Sequence, residues 1–277
     1  MSQWKQKDQL SGSERLAVLQ LLNEIEGDLH RAPIDESARR MVLHGRPASY
    51  WLKESSEGIT NFAVVFGSDP SIGEMAGGLL DPDLKDLVTA KFPHLHWWVR
   101  GEQVGSQGVP ERTLLMMGAP LPAELLDINT DLVIRPFNAE TDLDTWLGHN
   151  NAAFADHPEQ GTWKRDDLIE RLDEPWFDPS GFLVVLKGEE MVASVWTKIL
   201  ELNPAREGEI YVLWVASEHQ GKGLGAVALT AGLRNLQLKG TKRAVLFVEE
   251  TNDSATSLYE SYGFKIERLD QLVLFER

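Results

Sequence analysis

The chain has 277 residues, 42% hydrophobic and 25% charged, with a formal net charge of −16 and no cysteine. That length serves two modest domains with real cores, and the ordinary globular composition excludes long disordered tracts. The acidic balance opposes nucleic-acid binding, which needs clustered Lys and Arg, and the lack of cysteine excludes disulfides, thiolate catalysis and thiolate metal sites.

Ser11 followed three residues later by Glu14 is a capping-box pattern, with Leu16, Leu19, Leu22 and Ile25 recurring behind it, so a helix is expected over 13–29. Strand-like runs follow at 48–53, 61–66 and 74–80, then a helix opened by Asp81-Pro82, then strands at 94–100 and 112–117. The proline-bearing stretch 119–131 has no strong period and reads as a linker. The same order then begins again. A strand at 132–137, a helix at 141–154, a second helix after Thr162 and strands at 182–186, 192–200 and 210–215 lead to a glycine-rich turn. Helix 224–239, strand 244–249, helix 252–261 and closing strands complete it. The chain thus reads as a diverged tandem repeat of an α/β (α+β type) unit: 1–118, a linker at 119–131, and 132–277. Only residues 81–93 separate strands 74–80 and 94–100, against 216–243 in the second half, so the first half has lost the glycine-rich turn and most of the helix after it. No run reaches the roughly 20 apolar residues of a membrane helix, and the opening segment lacks a signal-peptide core, so a cytoplasmic location, a monomer, and neither a membrane nor a nucleic-acid partner are expected.

The strongest local signal is IYVLWVASEHQGKGLGAVAL, an apolar strand, a short turn, and Gln220-Gly221-Lys222-Gly223-Leu224-Gly225 opening a helix. Glycines allow close backbone approach, successive N–H groups make an anion nest, and the helix N-terminus favours negative charge, so the segment suits a pyrophosphate. It is neither a nucleotide-triphosphate loop, which would end Gly-Lys-Ser/Thr, nor the dinucleotide fingerprint with its own glycine spacing. The seven histidines show no HExxH spacing, and no metal is expected; His157 reads as a turn residue, and His94 and His96 alternate on one strand. The nine tryptophans read as core and cleft packing.

The pattern Gln-x-x-Gly-x-Gly/Ala after such a strand resembles the GNAT acetyltransferase superfamily, and Asn252-Asp253-Ser254-Ala255 with Leu258-Tyr259-Glu260-Ser261-Tyr262-Gly263-Phe264 resembles its closing elements. The resemblance implies two GNAT-like units, each a mixed, mostly antiparallel sheet flanked by helices, the first degenerate and the second catalytic. It implies acetyl-CoA as co-substrate. Leu213, Trp214 and Val215 would hold the pantetheine arm, Gln220 to Ala226 (with Gly221, Lys222, Gly223, Leu224 and Gly225) the pyrophosphate, and Asn252, Asp253, Ser254, Ala255, Thr256 and Ser257 would complete the cofactor site.

On the acceptor side, the segments at 150–163, 174–182, 196–198 and 208–213 are similar to those of the mycothiol synthase family, which acetylates the cysteinyl amine of desacetylmycothiol (Cys-GlcN-Ins). The likeness spans 150–264 well and the first half more weakly. It implies a small-molecule acceptor touched by Glu36, Glu159, Lys198, Glu209 and Phe247, in a cleft near the junction of the halves. Glu209 would be the base and Tyr259 the acid that protonates the departing thiolate. An amine acceptor requires such a base, because an α-amine with a pKa of about 8 is mostly protonated at neutral pH. Without the likeness, Glu36, Glu159 and Lys198 would read as solvent-facing charges. Two positions depart from the family pattern: Phe247 stands where it usually has Tyr, and Trp214 where it has a small residue. Two other readings stay open: acetylation of another amine, such as a peptide N-terminus or an aminoglycoside, and a non-catalytic acyl-CoA-binding module.

Overall fold

The computed structural model describes residues 3–29, 32–67, 71–77, 80–101, 109–123, 125, 131–155, 160–201 and 206–276. The chain divides into two compact units, residues 1–115 with 268–277, and residues 116–267. The last ten residues therefore join the first unit, although they follow the second in sequence without a break.

In the first unit, β1 (Trp4–Lys7) is followed by α1 (Gly12–Leu29), α2 (Glu36–Leu43), β2 (Ser49–Ser55), β3 (Gly58–Phe66), β4 (Ser71–Met75), α3 (Pro82–Lys91) and β5 (His94–Arg100), with β6 (Pro110–Pro120) continuing into the second unit. The capping box forms as its spacing predicts. The Ser11 amide donates to Glu14 Oε2 at 2.9 Å and the Glu14 amide to Ser11 Oγ at 3.3 Å, while contacts with Lys7 and Ser11 hold the Glu14 carboxyl down to about 2. The buried stripe of α1 is Val18 and Leu22, backed by Leu19, Leu21 and Ile25; Leu16, expected on that face, is 67% exposed. The short helix α2 carries the buried residues Ala38, Arg40 and Val42 and is capped by Asp35, whose carboxylate accepts from the Ser37 amide at 2.6 Å.

The strand order here is β1-β2-β3-β4-β5 followed by the closing strand β12 (Lys265–Glu276). Neighbours are antiparallel except β4 and β5, which run parallel from Ser71↔Leu95 to Gly73↔Trp97. The strand expected at 74–80 thus lies a few residues earlier, at Ser71–Met75. Asp270–Glu276 of β12 pair with β5, and Val273 and Phe275 enter the core with Leu84, Val88, Leu95 and Trp97.

Charges are buried in this unit. Glu74, 1% exposed, accepts at Oε2 from the Asp35 amide at 2.9 Å and from Arg100 Nη2 at 2.8 Å. Arg100 also donates to Asp270 at 3.1 Å, and Arg268 grips Asp270 through two 2.8 Å bonds. Burial outweighs the Arg100 charge and pushes the Glu74 carboxyl up to about 7 from 4.5. An acid with a raised folded-state value binds its proton more tightly when folded, so the contribution of Glu74 to stability falls as pH rises from about 4.5 to about 7 and is flat on either side. Glu74→Gln should remove that slope. In thermal melts from pH 4 to 9 the parent should lose melting temperature across this window relative to the variant; parallel curves would show that Glu74 does not titrate there.

The second unit runs β7 (Val133–Pro136), α4 (Leu143–Ala153), α5 (Arg165–Leu172), β8 (Phe182–Lys187), β9 (Glu190–Glu201), β10 (Arg206–Val215), α6 (Leu224–Leu238), β11 (Arg243–Glu249) and α7 (Asp253–Ser261), in the strand order β6-β11-β10-β9-β8-β7. β7, β8, β9 and β10 pair antiparallel in turn, and β10 runs parallel to β11. One face of the sheet is aromatic. Phe182 stacks between Phe137 and Trp196, each 4.2 Å away, and Trp146, fully buried, meets both Phe182 and Trp196 edge-on while donating to Ser194 Oγ at 2.8 Å. Helix α6 packs closely on β10: a Cβ on Gly208 would meet Leu236 Cδ2 at 2.6 Å, so a glycine there lets the helix reach the strand. Among the described residues no helix is long and apolar enough to cross a membrane.

Candidate active site

Strand β10 keeps its antiparallel partner β9 along its whole length but its parallel partner β11 over only three residues, Gly208↔Ala244, Glu209↔Val245 and Ile210↔Leu246. Beyond Ile210 the two parallel strands part. Leu213, Trp214 and Val215 stay paired with Val195, Ser194 and Ala193 on one edge, and their other edge turns from β11 into the opening. A bulge between Ile210 and Val212 marks the place where the parting begins. The pair is splayed, and an extended chain laid in it would find backbone partners.

Glu209 is half-buried on the middle paired rung and stands directly across β9 from Lys198. Phe247, 41% exposed, lies on β11 one residue past the last rung. Trp214 is 2% exposed and its ring packs on Trp146 at 6.2 Å and His149 at 5.2 Å. A bulky residue is therefore accommodated at that position by the core, with only its backbone turned to the opening.

The turn after β10 is built from left-handed residues, Gly221 at φ 71° and Gly223 at φ 79°. A Cβ at either would touch nothing within 4 Å, so the backbone conformation, not crowding, calls for glycine. Gly223 is the N-cap of α6 and has no side chain with which to satisfy the first-turn amides of Leu224 and Gly225, while the Ala226 amide turns back to the Gly223 carbonyl at 3.1 Å. Uncapped amides at the positive end of a 15-residue helix make an anion seat. Around it, Lys222 Nζ donates to the Glu218 carbonyl at 2.8 Å, and Gln220 folds back towards the Val215 carbonyl at 3.5 Å. His219, 3.0 Å from Glu190 at the start of β9, ties the turn to the neighbouring strand. Glu218 joins these two in a cluster whose ligand atoms lie within 4.8 Å of one another, with both carboxylates exposed.

The closing elements have local roles. Asn252 caps α7, its side chain accepting from the Ala255 amide at 3.1 Å; Asp253, Ser254 and Ser257 are exposed, and Ala255 and Thr256 half-buried. Tyr259 is 7% exposed, and burial pushes its hydroxyl up to about 12. Tyr262, for which the sequence suggested only a motif position, donates to the Ala226 carbonyl at 3.0 Å and shares a 2.7 Å bond with Thr230, fastening α7 to the first turn of α6.

Other contacts were not legible in the sequence. Arg171 on α5, 8% exposed, donates through Nε to Tyr211 Oη at 3.1 Å and lies 3.8 Å over the Trp163 ring. Lys198 Nζ lies 4.4 Å from the Trp176 ring centre and 5.4 Å from that of Tyr211. Glu36, the first residue of α2, is half-buried in the first unit. Glu159 and His157 lie outside the described residues.

The Acetyltransferase (GNAT) family model matches residues 148–264, which span the splayed pair, the glycine turn and α7. The mycothiol acetyltransferase of Geodermatophilus obscurus is 33% identical over 95% of this chain and 94% of its own length, and that of Thermobispora bispora 32% identical over 84% and 86%. Among solved structures, a tandem GNAT protein from the clavulanic acid biosynthesis pathway aligns over 99% of this chain and 98% of its own with a TM-score of 0.67 at 12% identity. A GCN5-related N-acetyltransferase from Sphaerobacter thermophilus gives 0.66 at 14% identity over 99% and 95%. At such identities these two speak for the fold alone. Identity above 30% across nearly the whole of both sequences decides the family: this chain belongs to the mycothiol acetyltransferases, acetyl-transferring enzymes of the GNAT fold.

Proposed function

We propose that this protein transfers the acetyl group of acetyl-CoA to the cysteinyl amine of Cys-GlcN-Ins, giving mycothiol and CoA, and that residues 132–277 carry the chemistry while residues 1–118 are a degenerate unit. The observation that carries the reading is the end of the β10–β11 pairing at Ile210↔Leu246, one residue past Glu209 and followed by the uncapped glycine turn. The exposed backbone edge of Leu213–Val215 suits the pantetheine amides, and the α6 amides with Gln220 to Ala226 suit the pyrophosphate. Asn252 to Ser257 flank that end of the site.

Glu209 takes a proton from the bound ammonium, directly or through a water. The freed amine attacks the thioester carbonyl carbon, the C–N bond forms, and the C–S bond breaks. Tyr259 protonates the departing sulfur, and the second amine proton restores its hydroxyl, so one proton is released per turnover. No covalent enzyme intermediate is required. Lys198 and Phe247, and from the first unit Glu36, are proposed acceptor contacts, as is Glu159.

The test is to incubate the pure protein with acetyl-CoA and a panel containing Cys-GlcN-Ins, an N-terminal peptide and an aminoglycoside, and to measure CoA released. Turnover that favours either of the other amines would reassign the acceptor, and no turnover on any would leave a binding module. In calorimetry one acetyl-CoA site per chain is expected; two sites of comparable affinity would overturn the degenerate status of residues 1–118.

A further inference from the structure

We infer that Trp176, Tyr211 and Arg171 form a positioning device for Lys198, fixing its ammonium at the acceptor side of the reaction; the inference rests on the acceptor role proposed above for Lys198. A lysine side chain has four rotatable bonds and a strongly hydrated head, so a lysine that contacts substrate gains little unless something holds it. Here the ammonium lies 4.4 Å from the Trp176 ring centre and 5.4 Å from that of Tyr211, and the two rings meet edge to face at 5.1 Å. A cation near two ring centres at these distances is attracted by both negative faces.

The rings are themselves held. Tyr211 Oη accepts from Arg171 Nε, whose guanidinium also donates from Nη1 to the Asp167 carbonyl at 2.8 Å and covers Trp163. Trp176 packs on Trp196 at 5.7 Å, inside the aromatic core. Tyr211 occupies the bulge where β10 leaves β11, two residues past Glu209, and Lys198 is the cross-strand partner of Glu209. The same irregularity that opens the strands therefore places the ring beside Lys198. The residues come from α5, the segment after it, β9 and β10, all within the second unit.

The experiment measures KM for Cys-GlcN-Ins and kcat at saturating acetyl-CoA for Lys198→Ala, Trp176→Leu, Trp176→Phe, Tyr211→Phe and the double variant Lys198→Ala/Trp176→Leu, with acetyl-CoA binding followed by calorimetry. Lys198→Ala should raise the acceptor KM. Trp176→Leu, which stays apolar and loses the ring face, should raise it about 3–30-fold with kcat nearly intact, Trp176→Phe should restore most of the loss, and the double variant should be no worse than Lys198→Ala. Tyr211→Phe should raise KM a few-fold through the lost Arg171 bond. Acetyl-CoA affinity should be unchanged throughout. If Lys198→Ala raises KM while Trp176→Leu does not, or the two effects multiply, the positioning role is overturned and the acceptor role of Lys198 survives. If Lys198→Ala leaves KM unchanged, that acceptor role fails and this inference with it; a rise in Trp176→Leu alone would make the indole a direct acceptor contact. Should Trp176→Leu not fold, Tyr211→Phe at parental KM overturns the device, and a rise that vanishes in Lys198→Ala/Tyr211→Phe supports it.

Discussion

Glu209→Gln is expected to lower turnover by roughly 10²–10⁴ and to leave acetyl-CoA affinity within about two-fold. The substitution keeps the shape of the side chain and its place across from Lys198, one rung short of the last that β10 and β11 share. What is lost is a group able to accept the proton that keeps the acceptor amine from attacking. Because an α-amine with a pKa of about 8 sheds that proton unaided as pH rises, the deficit should shrink towards pH 9. Steady-state kinetics on Cys-GlcN-Ins from pH 6 to 9, with calorimetry for acetyl-CoA, checks all three points. A variant within a few-fold of the parent at pH 7 would move the base elsewhere.

The second large effect is expected at Tyr259. Burial holds its hydroxyl at about 12, so it carries its proton across the whole working range and stays a competent donor to a thiolate. Tyr259→Phe should reduce kcat by roughly 10–10³ with little change in either KM, since the donor matters only as the C–S bond breaks. The ring stays, so its packing 6.0 Å from Phe264 and the melting temperature should be largely preserved. A thioester with a more acidic leaving thiol needs less help from an acid. The defect should be smaller on such a donor, and an equal defect on both donors would argue against proton donation. Activity within two-fold of the parent would remove Tyr259 from the mechanism.

The second unit was legible where backbone geometry imposes a local pattern on adjacent residues. Gly221 and Gly223 need their backbone conformation, and that need is written in the sequence as glycine. Asn252 and Ala255, three residues apart, are a cap and its donor. The strand boundary at β4 was harder, because Ser-Ile-Gly-Glu-Met is a poor strand by propensity and is held in place by pairing with β3 and β5. Helix α2 is short, and its buried arginine, Arg40, breaks the apolar stripe that would have announced it. Arg171, Trp176, Tyr211 and Lys198 meet only through the fold. Nothing in their spacing joins residues 40 positions apart, and an arginine on a helix reads as solvent-facing until its guanidinium is found on Tyr211 and Trp163. Trp214 departs from the small residue of the family pattern; the bulge at Tyr211, which strict alternation does not announce, turns its indole with Val212 into the aromatic core.

The ten residues at 268–277 carry a consequence for how the molecule is made. A ribosome delivers β1 to β5 long before β12, so the early part of the chain emerges with the Leu95–Val99 edge of its sheet bare and with Val273 and Phe275 missing from its core. The second unit is complete by residue 267 and can close first. The first unit, begun before the second, is thus completed after it, and until β12 emerges its open strand edge is the place where a nascent chain is exposed to pairing with a neighbour.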